Sequence, residues 1–259
     1  MRCWMIGLLI AGLVACQPAP NPNLPPTVDP SLISWDRSPD AVTFRADVIG
    51  GESSIRARSN IPLCTVFGDN RIVWVNELGG FNFEVLYHAA NDSAIREFIR
   101  YLTVEEAIYD FGWRSDDLFA TAEVTPVIET VTLTVNAVMH RTDSFSGWDA
   151  QLFARVLTLC KQLGTAPILY QPNGGWVSVE RVPYNPQAPI SQWDSGSMGF
   201  SLPSLEGATP RWVTGASLLA IWNALRSLPS SLLYTEDNAT FYALALQVPG
   251  IMRDAPPPP

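Results

Sequence analysis

The chain has 259 residues, 47% of them hydrophobic and nine of them Trp, a composition that describes a globular body and argues against disorder. Sixteen basic against 25 acidic side chains leave a formal charge of −9. That balance argues against a nucleic-acid binder, which needs clustered Lys and Arg for phosphates, and against a basic face lying on anionic lipid. Lys161 is the single Lys beside 15 Arg, a skew that points to genomic base composition before Arg-specific recognition.

The first element is an apolar N-terminus. Met1-Arg2-Cys3 carries one positive side chain, and residues 4–14 are uncharged and almost wholly apolar. As a helix those residues reach about 16 Å, half a bilayer core, where a span needs roughly 20 residues. The segment therefore reads as the hydrophobic region of a signal peptide. It ends in Leu13-Val14-Ala15-Cys16, which resembles the lipobox of bacterial lipoproteins. The resemblance implies a diacylglycerol thioether on Cys16, cleavage after Ala15 and Cys16 as the mature N-terminus. It also implies attachment to the extracytoplasmic side of a bacterial membrane. Gln17 would favour the outer membrane in a cell that has two; otherwise the site is the plasma membrane. An ordinary secretory signal with a chance cysteine, or an uncleaved anchor, are the alternatives. Loss of Arg2 leaves a mature charge of −10.

Residues 16–40 follow as a lipidated terminus and Pro-rich tether, QPAPNPNLPPTVDP at 17–30, a composition that favours extended polyproline backbone and acts as a semi-rigid spacer. The body is placed at 41–254 and a proline tail at 255–259. Residues 41–49 alternate apolar and polar, as a strand does. IPLCTVF at 61–67 and RIVWVN at 71–76 flank Gly68-Asp69-Asn70 and predict a hairpin. Over about 15 residues this stretch resembles the hairpin of uncharacterised secreted and lipid-anchored bacterial proteins, a likeness that implies no activity. A short strand at 83–88 precedes a helix at 93–101 capped by Asn91 or Asp92. Thr103-Val104-Glu105-Glu106 has the form of a capping box and predicts a further helical turn or two, ended at Gly112.

Residues 124–140 are β-rich, with Val131, Leu133 and Val135 alternating with Thr130, Thr132 and Thr134, the pattern of a half-buried antiparallel strand. A helix is predicted over 148–163, with Leu152, Val156, Leu159, Cys160 and Leu163 at helical spacing and Gly164 as terminator. Short β runs at 168–170 and 176–182 bracket Asn173-Gly174-Gly175. The Pro/Gly/Ser-rich stretch 183–209 reads as a long irregular loop. A helix over 216–226, capped by Thr214, carries a broad apolar face. Strands at 232–234 and 241–248 close the body across Glu236-Asp237-Asn238. The rhythm predicts an α+β fold, a mainly antiparallel sheet with three to four helices packed on one face. One domain, or two halves at 41–142 and 143–250, both fit.

Of the four cysteines, Cys3 leaves with the signal and Cys16 takes the lipid, so Cys64 and Cys160 remain as a disulfide or as two buried free thiols. No catalytic set stands out. Trp193-Asp194-Ser195-Gly196 is similar to the surroundings of a serine-protease nucleophile, but His88 and His140 lack that family's context, and a turn is the simpler role for Asp-Ser-Gly. Gly-x-Ser-x-Gly and Ser-x-x-Lys do not occur. The two His are far apart and no Cys-x-x-Cys exists, so no metal and no cofactor is expected. Glu105-Glu106 and Asp116-Asp117 read as solvated helix-end charges. Asn91-Asp92-Ser93 and Asn238-Ala239-Thr240, which match glycosylation sequons, read as capping and turn residues. Trp residues spread through the body read mainly as core. Trp193 and Trp212 flank the long loop and are the candidates for an exposed contact surface. The sequence thus points to a non-catalytic lipid-anchored envelope protein that binds an envelope protein or supports an assembly. A solute- or glycan-binding lipoprotein using the 183–212 loop is the second reading, and an envelope hydrolase the third.

Overall fold

The structure is a computed structural model and describes residues 32–51, 55–80, 82–116, 126–228 and 231–259. Cys16, the segment expected to be a signal peptide and residues 17–31 of the expected tether lie outside these.

The fold is α+β and mainly antiparallel, built on two sheets. The larger sheet has the order β6-β5-β1-β2-β3-β4-β7. Its strands are β1 (Val42–Ile49), β2 (Cys64–Phe67), β3 (Arg71–Gly79), β4 (Asn82–Ala89), β5 (Ile128–Val135), β6 (Val138–Asp143) and β7 (Ile168–Leu169). The smaller sheet runs β10-β8-β12-β11-β9. It comprises β8 (Gly175–Val182), β9 (Ile190–Gln192), β10 (Arg211–Val213), β11 (Leu233–Thr235) and β12 (Phe241–Gln247). The helices are α1 (Asp92–Arg100), α2 (Leu152–Gln162), the single turn α3 (Ser195–Met198) and α4 (Gly215–Ser227). Only the β9–β11 pairing is parallel among the described strands.

The β2–β3 hairpin forms as its turn sequence predicts. Asn70 closes the loop with φ +68°, and its amide donates to the Phe67 carbonyl at 3.0 Å, the form of a three-residue turn ending left-handed. Gly68 is required by space: a Cβ there would run into the backbone carbonyls of Asp36 and Ser38. The β5–β6 turn, not anticipated from the sequence, uses Asn136 and Ala137, both at positive φ (52° and 61°). Such a turn suits the twist of a tight hairpin, and Asn136 also accepts from the Ser34 amide at 2.9 Å.

Two cores lie on opposite faces of the larger sheet. On one face Phe44, Ala46, Cys64, Ile72, Trp74 and Leu133 meet α1 through Ile95, Phe98 and Ile99, and α2 through Leu152, Val156 and Cys160. Asn91 caps α1, accepting from the Ala94 amide at 2.8 Å. On the other face Phe67, Val73, Val75 and Val85 meet Val177, Val179, Leu244 and Leu246 of the smaller sheet and Leu218, Ile221 and Trp222 of α4. The interior strand β3 is therefore buried on both sides from Ile72 to Val75, which is why its run is apolar without alternation. A 3-10 turn, Ile55–Ser59, crosses onto the outer face of the smaller sheet, where Ala243 and Ala245 leave room for Ile55.

Several expectations change here. Helices do pack on one face of the larger sheet, but a second sheet covers part of the other. A division at 142/143 does not follow the packing, because α2 and β7 both belong with the larger sheet. Ile33 and Trp35 are buried, and the Trp35 indole donates to the Gly68 carbonyl at 3.1 Å, so the body is already packed before residue 41. Thr103 caps nothing: its hydroxyl turns back to the Ile99 carbonyl at 3.0 Å, and residues 101–105 continue α1 as a wider turn. The stretch 183–209 is no open loop. It contains β9, α3 and the 3-10 turn Pro203–Leu205, and it places Phe200, Leu202 and Leu205 in the core.

Candidate functional site

The residues singled out from sequence take different places. Cys64 of β2 and Cys160 of α2 form a disulfide, with Cα atoms 6.4 Å apart and both residues wholly buried. It ties α2 to the larger sheet across 96 positions. Trp193 is 5% exposed and packs on Phe200 and Tyr234, its indole donating to the Phe200 carbonyl. It therefore belongs to the core and not to a contact surface. Trp212 is half-buried on β10 and meets Trp176, not Trp193, edge-on at 5.1 Å. Gly174 lies against the Trp212 ring with no room for a side chain. Trp176 donates to the Pro257 carbonyl at 3.0 Å, so the proline tail lies on this aromatic pair.

Asp194 accepts from the Gly196 amide at 3.0 Å and caps α3, the turn-forming role expected of Asp-Ser-Gly. His88 and His140 each meet a backbone carbonyl, that of Ala166 and of Ile108 respectively. Among the described residues no group of three or more His, Cys, Asp or Glu is placed to hold a metal ion. No described helix is long and apolar enough to cross a membrane. Glu105 stays near the surface beside Arg100. Glu106, expected as a solvated charge, is instead 9% exposed. Arg155 donates to both its oxygens, at 2.8 and 2.6 Å, and Tyr101 donates to one at 2.6 Å. Those bonds hold its carboxyl below its ordinary pKa.

Two clefts open on the face of the larger sheet that looks toward the smaller one. The first is a groove over the outer half, lined by Thr130, Thr132 and Thr134 of β5 with Arg45, Arg141 and Arg253. Its cations have company. Arg253 is paired with Asp47, Arg141 stacks 3.7 Å over the Trp113 ring, and Arg45 feels Asp47 and Asp254. The second is a cavity of about 470 Å³ between the sheets and the end of α4, inside the usual range of small-ligand pockets. Ile61, Leu63, Val75, Phe83, Leu232 and Leu244 provide apolar walls; Arg56, Ser59, Asn60, Asn82, Tyr234 and Arg226 add polar groups. Asp47 and Glu77 also line it, Asp47 held by Arg253 and Glu77 exposed on β3.

Arg226 distinguishes this cavity. It is 7% exposed, and its guanidinium sits 4.5 Å from the Phe83 ring centre and 4.7 Å from that of Trp222. One Nη donates to the Ser59 carbonyl at 3.0 Å, while Nε has no partner among the described residues. No ion pair among the described residues reaches it. Burial pushes its pKa down to about 9, so it remains a cation at neutral pH. Sequence reasoning passed over it as the last residue of an apolar helix. The signal was there: Arg226 stands four residues after Trp222 and eight after Leu218, on the same stripe. Tyr234 is driven up to about 12 by burial and stays a neutral phenol.

Comparison with known proteins finds no matching family model, no matching curated protein and no matching solved structure.

Proposed function

We propose that this chain is a lipid-anchored extracytoplasmic binding protein, held by Cys16 and taking a small ligand into the cavity between its sheets. The observation that carries the reading is the cavity itself: about 470 Å³, walled by apolar side chains from both sheets and α4, with a few polar groups converging on it. That is the make-up of a binding site. The ligand is thereby placed away from the 183–212 stretch, whose Trp193 and Phe200 are spent on the core. The buried Cys64–Cys160 bridge supports an oxidising, extracytoplasmic setting, since cytosolic proteins seldom keep such bonds. The lipobox supports the anchor, and the tether would hold the body off the bilayer.

Two measurements test it. Mass spectrometry of the protein from a bacterial membrane fraction should find Cys16 as a diacylglycerol-bearing N-terminus, and C16S should move the body out of that fraction. An unmodified, uncleaved N-terminus would remove the anchor. For the cavity, thermal-shift screening of apolar small molecules should give stabilisation that L244W, which fills the space, abolishes.

A further inference from the structure

A charged side chain buried without a counter-charge is costly, because water no longer solvates it and nothing replaces the water. The faces of Phe83 and Trp222 offset part of that cost for Arg226. A single carbonyl takes one of its five N–H groups. The other charged groups on the cavity wall do not complete it: Asp47 is engaged by Arg253, Glu77 is exposed on the rim, and Arg56, which donates to the Leu232 carbonyl at 3.1 Å, adds a second cation.

From this arrangement we infer that the cavity binds an amphiphilic monocarboxylate, its carboxylate docked on Arg226 and its apolar body lying among Ile61, Leu63, Val75, Phe83 and Leu244. This rests on the binding reading above and gives it a ligand class. A carboxylate matches the guanidinium fork with two parallel hydrogen bonds, a geometry no alcohol or amine reproduces. Arg226 also stands in the last turn of α4, facing the cavity from the end of an element anchored in the core by Leu218, Ile221 and Trp222. The receptor group is thus positioned before the ligand arrives, which lowers the ordering cost of binding.

The test uses the full chain in lipid nanodiscs, with 3-phenylpropionate and 3-phenylpropanol as matched probes and empty nanodiscs as the blank. Isothermal titration should show the acid binding at least tenfold more tightly than the alcohol. R226M should remove that preference, dropping the acid to the affinity of the alcohol, and R226K should restore part of it. Equal affinity of acid and alcohol for the unmodified protein overturns the carboxylate assignment while leaving the cavity as a binding site. An R226M variant that keeps full preference for the acid overturns it too. Absence of binding by both probes overturns the cavity reading itself. The acid-against-alcohol comparison needs no variant, so it decides the matter even where R226M fails to fold.

Discussion

The two faces of the larger sheet have been used in opposite ways. On the helical face the core is filled and cross-linked: α2 is bonded to β2 through Cys64–Cys160, and the buried Glu106 is met by Arg155 and Tyr101. On the face toward the smaller sheet there is empty volume, and among the described residues no carboxylate pairs with the buried Arg226. The same kind of group, a charge removed from water, is satisfied in one place and left incomplete in the other. Filled space serves stability, and pairing a buried charge avoids the cost of leaving it uncompensated. An incomplete charge beside empty space is the observation on which the proposed binding site rests.

The contrast can be broken most forcefully at the disulfide. Removing it as C64S/C160S frees a loop of 96 positions and should cost about 4–5 kcal/mol by loop-closure entropy. Chemical denaturation would read this as a lower midpoint, with ligand affinity unchanged in the protein that remains folded. A loss of affinity equal to the loss of stability would mean that the two faces are not independent.

The next effect is at Glu106. E106Q should destabilise by about 2 kcal/mol, within the range for hydrogen bonds to charged groups, since Arg155 is left 40% exposed and can recover some hydration. The pH dependence has a definite sign. Because the folded carboxyl titrates below its ordinary value of 4.5, its contribution is complete above about pH 4.5 and is lost as pH falls through the folded pKa. Thermal midpoints of wild type and E106Q should therefore differ at pH 7 and converge in acid. A constant gap down to pH 2 would remove the ion pair as the cause.

Asp47, on the other face, sharpens the comparison by running the opposite way. Burial outweighs the Arg253 pairing and raises its pKa above 3.8. The folded state thus favours the protonated acid, and lowering pH through the raised pKa relieves a cost instead of adding one. D47N leaves Arg253 39% exposed and able to rehydrate, so it should change stability less than E106Q does at pH 7, by about 1 kcal/mol or less, and urea titration of the two variants side by side reads the order directly. The smallest effect is expected at the tail. Ending the chain at Asp254 removes the Trp176–Pro257 hydrogen bond and should cost under about 1 kcal/mol. Its readout is a red shift of tryptophan emission as Trp176 meets water.

Much of the fold was legible in local pattern. The β2–β3 hairpin, α1 with its Asn91 cap, the Val/Thr alternation of β5 and the helix expected over 148–163, which forms over Leu152–Gln162, all follow from short-range rules: turn chemistry, side-chain capping and period. The failures share a cause. The capping box at Thr103 was a valid local pattern that lost to continuation of α1, because Leu102 is buried in the core and Glu106 had a distant partner in Arg155. The stretch 183–209 lacks any period, yet Trp193, Leu202 and Leu205 fill space between elements far apart in the chain. Composition identifies a loop by its Pro, Gly and Ser, and it carries no information on where that loop is buried.

The chemistry divides along the same line. The lipobox-like Leu13-Val14-Ala15-Cys16 pattern, the Pro-rich composition of 17–30, the acidic balance and the availability of Cys64 and Cys160 are properties of the sequence alone, since each depends on residue type and near neighbours. That those two cysteines meet, that Trp193 and Trp212 do not, and that Arg226 ends beside a cavity with no counter-charge among the described residues were decided by tertiary structure. Pairing and solvation depend on distances between segments brought together only by packing, and an arginine reads the same in a chain whether water, a carboxylate or neither awaits it.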